Sequence, residues 1–310
     1  MNEQLHPAQA AATVALLMLA LAPAAAHADT PPPNNGQRYV SVGGQADNLH
    51  DQQVLSTLSL PVGQQGWVQA GIGKSRSDQA AGGREPGIVT GGVGMAGQEM
   101  QLTINASHRA DGSKYRQTDV GSSLDWRHDG NVLGLDVTHR NSRASGAVAV
   151  ANGQGGSSTV PALARISGNG IGVHGTLQAT EHVSVYGAVS RNHYKSTTQQ
   201  IDPAAPGGLL GLDPVLARAL LGGASVVNRD EAALDHSAMV GANYRWDKVA
   251  VSGEYTTGQV HDNGGAMRSV ELKAAVDVAP GWRLAPGVGR GSSDRGGHAN
   301  FASLSATYGW

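Results

Sequence analysis

The 310-residue sequence contains no cysteine, so no disulfide is available, and stability must come from backbone pairing and packing. Aromatic residues are scarce at 4%, with a single Phe, and charged residues reach only 15%. A soluble domain of this length normally builds its core from Leu, Ile and Phe, so a conventional core is poorly supported. The formal net charge of -2 supplies no basic field, which argues against a nucleic-acid partner. Beyond residue 28 no apolar run approaches the roughly 20 residues of a membrane-spanning helix, which excludes a helical membrane protein. What the chain has in abundance is glycine, 44 residues of it.

The N-terminus reads as a targeting segment. An uncharged, Ala-rich run at 10–26 leads to Ala26-His27-Ala28, a small-x-small cleavage pattern, and then to Asp29 and a Pro-rich stretch. This predicts a secretory signal peptide over 1–28, although residues 1–9 carry Glu3 and no Lys or Arg. A short periplasmic segment is expected at 29–37 and a single folded unit over 38–310.

From there the dominant signal is alternation with period two. Val54, Ser56, Leu58, Leu60 and Val62 share one face, and Met100, Leu102, Ile104 and Ala106 alternate with Gln101, Thr103, Asn105 and Ser107. Similar runs recur to the C-terminus and predict about 14 strands. Short turn-forming connections, such as His128-Asp129-Gly130-Asn131 and Ala279-Pro280-Gly281, alternate with longer polar stretches at 46–52, 75–87, 110–116, 141–163, 195–232, 261–267 and 291–300. Tight turns on one side and long loops on the other are the asymmetry of an antiparallel transmembrane β-barrel, with short periplasmic turns and long external loops. Trp67, Trp126, Tyr244, Trp246, Trp282 and Tyr308 all lie beside short turns or at the terminus, where an aromatic girdle is expected at the periplasmic boundary.

The chain ends FASLSATYGW, with Ala302, Leu304, Ala306, Tyr308 and Trp310 on one face. This ending resembles the C-terminal assembly signal of Gram-negative outer-membrane β-barrel proteins. The resemblance covers the architecture of 38–310 and identifies a class rather than a subfamily. It implies residence in the outer membrane after export through the periplasm, contact with outer-membrane lipid, and recognition of Leu304, Ala306, Tyr308 and Trp310 by the barrel-assembly machinery.

If the Val and Leu positions face lipid, the charged residues between them must face the lumen, because charges on the lipid face are costly at the midplane. The candidates are Arg109, Asp119, Asp125, Arg127, Asp136, Arg140, Arg245, Glu254, Glu271, Lys273, Asp277 and Arg283. Both signs are equally represented. That fits a water-filled passage with a transverse field, and equally a wall that is salt-bridged only to satisfy itself. About 14 strands with small lumen residues should leave room for solutes unless plugged. A plug candidate is a short helix at 209–227, with Asp213 as N-cap, Pro214 at the first helical position and Gly222-Gly223 after it.

Other motifs carry little. Gly92-Val93-Gly94-Met95-Ala96-Gly97 fits a dinucleotide fingerprint, but it lies in an alternating run with no following helix. The 12 His form neither an H-E-x-x-H motif nor a compact ligand set, and the Asp-Gly turns lack the spacing of a calcium loop. No cofactor, metal or catalytic residue is therefore expected. The function anticipated is a porin-like passive channel for small hydrophilic solutes, or the pore of an export system. The alternatives are a closed barrel acting through its external loops, and a lipid- or polymer-modifying barrel enzyme, which would need a Ser/His/carboxylate set at its rim.

Overall fold

A computed structural model describes residues 38–77, 84–112, 114–151, 157–200, 233–261, 265–294 and 297–310. The expected signal peptide at 1–28, the segment at 29–37 and the expected helix at 209–227 lie outside the described residues. The strands are β1 (Tyr39–Asp47), β2 (Gln52–Val62), β3 (Gly66–Arg76), β4 (Gly87–Ala96), β5 (Met100–Asp111), β6 (Tyr115–His128) and β7 (Asn131–Ala151), followed by β8 (Ser157–Gln178), β9 (Val183–Gln200), β10 (Leu234–Trp246), β11 (Val249–Val260), β12 (Ala266–Ala279), β13 (Trp282–Ser293) and β14 (Gly297–Gly309).

Each strand pairs with its sequence neighbour, and β1 pairs antiparallel with β14, from Tyr39 opposite Gly309 to Asp47 opposite Phe301. The sheet is thus a closed barrel of 14 strands. Closure gives every edge N–H and C=O a partner, the condition for placing a sheet in hydrocarbon.

Period two separates the two faces. On β2, Val54, Leu58, Leu60 and Val62 are exposed while Thr57 and Ser59 between them are buried. The exposed set continues around the barrel through Ile72, Val89, Leu102, Leu124, Leu135, Ile171, Val189, Val240, Leu272 and Val288. The crowded concave side buries small polar residues, and the convex side carries a predominantly apolar surface. In water such a surface would drive aggregation. It is the lipid-facing band of an outer-membrane-type barrel.

Turn chemistry fixes one end. Asp129 (φ 48) and Gly130 (φ 79) both adopt positive φ in the two-residue link between β6 and β7, the geometry that matches the strand twist in a tight hairpin. At the other end the chain runs from Gln200 to Leu234 between β9 and β10. One expected external loop is mostly strand: 141–163 belongs largely to β7 and β8, which stay paired out to Ala151 opposite Ser157. The reason is physical. Apolar alternation stops where lipid stops, whereas the hydrogen-bonded ladder continues wherever polar side chains and water suit it. Likewise 110–116 closes as a tight turn between Asp111 and Tyr115.

On the convex face, Trp126 of β6, Tyr244 and Trp246 of β10, Trp282 of β13, Tyr308 of β14 and Trp310 just after it stand at the short-turn end. Trp282 and Tyr308 lie 4.9 Å apart between centroids, and Tyr308 and Trp310 5.8 Å. Leu304, Ala306 and Tyr308 share this face of β14. Trp67 departs from the expected girdle. It is buried at 7% exposure and faces inward, because Val68 and Ile72 take the lipid-facing positions of β3.

Trp67 also shows what many glycines do. It lies over Gly94, its direct partner on β4, where an added Cβ would come within 2.0 Å of Trp67 Cζ2. The same arrangement places Tyr186 over Gly241, Phe301 over Gly289, His174 over Gly134 and Tyr194 over Gly168, each pair directly opposite in register. Large inward rings therefore lie along the wall instead of projecting across the lumen.

Gly94→Leu should accordingly cost about 1–3 kcal/mol through overpacking, read as a lower urea midpoint of the barrel in lipid vesicles. Gly91→Ala, on the lipid face with no atom nearer than 3.9 Å, should leave the midpoint unchanged.

Candidate functional site

The concave wall is the candidate site. Arg109, Asp119, Asp125, Arg127, Asp136, Arg140, Arg245, Glu254, Glu271, Lys273, Asp277 and Arg283 all occupy concave positions, each flanked in its strand by convex ones. They fall on two arcs, β5–β7 and β10–β13. The intervening arc from β14 through β1 to β4 offers Ser303, Ser305, Thr307, Ser41, Thr57, Ser59, Gln69 and Thr90, with no charged inward side chain in its middle stretch.

The densest cluster is centred on Asp119, in the outer half of β6. Arg140 Nε donates to Asp119 Oδ1 at 2.6 Å, and Arg109 Nη1 stands 3.5 Å from Oδ2. Gln117 Nε2 donates to the same Oδ2 at 2.6 Å, while Gln117 Oε1 accepts from Tyr115 Oη at 2.6 Å and from Ser142 Oγ at 3.2 Å. The Arg84 guanidinium covers the Tyr115 ring, 4.7 Å from its centroid. Register builds this group: Ser107, Asp119 and Arg140 are directly opposite one another across β5, β6 and β7. Gly168 and Tyr194 extend the row across β8 and β9.

Towards the short turns a second group forms. His174 crosses Gly134 to reach β6, placing Nε2 3.2 Å from Asp125 Oδ1 and Nδ1 2.7 Å from Asp136 Oδ2. Arg127 Nη2 lies 3.5 Å from Asp125 Oδ2, and Ser123 Oγ donates to Oδ1 at 2.7 Å. On the opposite arc, Lys273 stands 3.3 Å from Glu271, and Thr256 Oγ1 donates to Glu254 at 3.0 Å. Arg283 binds Asp277 through Nε at 2.7 Å and Nη2 at 3.2 Å. Arg245 is exposed at the turn end.

Packing varies along the wall. In the outer half of β4–β6, Ile88, Tyr115, Gln117 and Arg109 are at most 5% exposed. Lower down, Asn105 and Thr138 are exposed, and the Asp277 and Arg283 side chains are 42% and 37% exposed. Nearer the short turns, however, Trp67, Gln101 and Asp125 are again at most 7% exposed, so the open stretches of the wall are local. Among the described residues, no cluster of His, Asp and Glu is placed to hold a metal.

Reasoning from charge alone missed His174, Gln117, Tyr115 and Tyr194. Their signal was parity: each falls on the same alternate positions as the charged residues of its strand or of the paired one. Arg84 lies outside the strands, and no periodicity marks it.

Asp119 serves two guanidiniums in a largely enclosed place, so removing it leaves positive charge that the site no longer balances. Asp119→Ala is expected to lower stability by about 3 kcal/mol and to move the reversal potential of any current towards anions, as measured in a salt gradient. Asp119→Asn, which keeps the side-chain volume and one acceptor oxygen, should shift the potential with a smaller stability loss.

No known family model matches the chain, and no curated protein sequence does so either. Solved structures do. The monoaromatic hydrocarbon channel CymD superimposes with a TM-score of 0.54 at 10% identity, covering 89% of this chain and 89% of that one. The Pseudomonas putida toluene transporter TodX gives 0.51 at 10% identity, again covering 89% of each chain. At this identity the likeness is one of fold.

Proposed function

We propose that this protein is a passive channel of the bacterial outer membrane for small, hydrophilic solutes, with little preference for charge. The observation that carries the reading is the composition of the concave wall. Twelve of its charged side chains, six acidic and six basic, are largely paired with one another and face an arc of hydroxyl and amide groups. A paired wall presents hydrogen-bonding groups to hydrated solutes without a strong net potential to select ions. A barrel of 14 strands lies between those filled by side chains and those with wide aqueous pores.

CymD and TodX are described as carrying hydrocarbons. The charged wall here suits a water-borne cargo instead, because apolar solutes gain nothing from ionised groups they cannot solvate. Export through the periplasm and recognition of Leu304, Ala306, Tyr308 and Trp310 by the assembly machinery belong to the same proposal. No catalytic role is assigned to any residue. The packed outer half around Tyr115 and Gln117 favours one second reading, a closed barrel that acts through its external segments.

Single-channel recording of the purified protein in planar bilayers separates the two. Discrete ohmic steps with a reversal potential near zero in a salt gradient are expected, and deletion of 209–227 should change the step size. Silence from a folded, heat-modifiable barrel would reject the channel and select the closed reading.

A further inference from the structure

The convex face carries a basic site that the channel reading does not use. Arg116 on β6 is directly opposite Arg143 on β7, and Arg143 is directly opposite Arg165 on β8. All three are exposed and occupy the lipid-facing positions of their strands, in phase with Val120, Val137 and Ile171. Cross-strand neighbours have Cβ atoms about 4.5–5.5 Å apart, where like charges oppose pairing. None of the three has an ion-pair partner among the described residues, and no Asp or Glu occupies the convex face of β6, β7, β8 or β9 there. Three adjacent guanidiniums with no counter-charge among the described residues call for one from elsewhere.

Their height says which. Arg143 lies twelve residues along β7 from Asn131 at the short-turn end. At about 3.3 Å per residue and about 45° tilt that is roughly 28 Å, just beyond an apolar band of about 25 Å. The rows below pass from polar towards apolar side chains on β6 to β8, with Arg191 on β9 a further exposed cation beside Ile171. Thr118, Asn141, Ser167 and Lys195 form the next row, then Val120, His139, Asn169 and His193, then Ser122, Val137, Ile171 and Arg191. The row of arginines therefore stands at the outer-leaflet headgroups, with hydroxyl, amide and ammonium donors immediately beneath it.

We propose that Arg116, Arg143 and Arg165, with Lys195, Asn141 and Ser167, form a binding site for a phosphorylated lipid headgroup of the outer leaflet. Guanidinium groups match phosphate oxygens in charge and in bidentate geometry. One headgroup phosphate between neighbouring arginines replaces their repulsion with two attractions, and the acyl chains then lie along Val120, Val137 and Ile171. The external end is thus fixed to the leaflet on one side of the barrel.

The test is lipid retention by the protein extracted from membranes in detergent, followed by native mass spectrometry. It is titrated with a diphosphorylated glucosamine lipid and with the dephosphorylated form of the same lipid. The wild type should retain the phosphorylated form preferentially. The triple variant R116S/R143S/R165S should bind it about tenfold to a hundredfold more weakly, with binding of the dephosphorylated form unchanged. A charge-matched variant, K74Q/R268S/R290S, removes three exposed cations elsewhere on the rim and should bind as the wild type does. If heat-modifiability shows the triple variant unfolded, Arg143→Ser alone takes its place, being the middle of the row. Equal retention by wild type and variant, equal loss in the charge-matched variant, or no discrimination between the two lipid forms would each overturn the proposal.

Discussion

A sheet in hydrocarbon has no water to complete its hydrogen bonds, so every backbone polar group at membrane depth must find its partner within the fold. The pairing of β1 with β14 meets that demand, and the rest of the molecule follows from it. Without closure, Tyr39–Asp47 and Gly297–Gly309 would each present an open edge to lipid. With closure, the barrel has only two faces, and strict alternation decides which residue goes to which.

That division explains a composition unsuited to a soluble core. Val and Leu are spread over fourteen strands because they solvate themselves in lipid, while the interior is built from Ser, Thr, Gln, Gly and paired charges. Charge inside the barrel is tolerable because register brings opposite signs together, as for Asp119 and Arg140. Glycines directly opposite Trp67, Tyr186, Phe301 and His174 let bulky groups lie along the wall. The lumen is thus shaped by pairs across strands rather than by any single residue.

The same logic says what the sequence could reveal. Alternation between apolar and polar residues is imposed by the two solvents, so the strand count, the short turns and the terminal strand were legible. Strand ends were not: β7 and β8 run well past the apolar pattern, because a strand in water needs no apolar face. Trp67 was misread by its nearness to a turn, although its parity with Gln69 and Gly71 on β3 points it inward. The Asp119 network was beyond reach, since its members lie on separate strands and meet only once register is fixed. His174 illustrates the same limit, for it reaches Asp125 across a glycine of the strand between them.

The most direct test of the account is a nitroxide scan along β5, made simple by the absence of native cysteine. Labels placed singly at Leu102, Thr103, Ile104, Asn105 and Ala106, in protein reconstituted in lipid vesicles, report contact with dissolved oxygen and with a water-soluble nickel chelate. Oxygen should dominate at Leu102, Ile104 and Ala106, and the chelate at Thr103 and Asn105. Equal response at successive positions, or access of the chelate to both sets, would contradict a closed barrel with one face in lipid and the other in water.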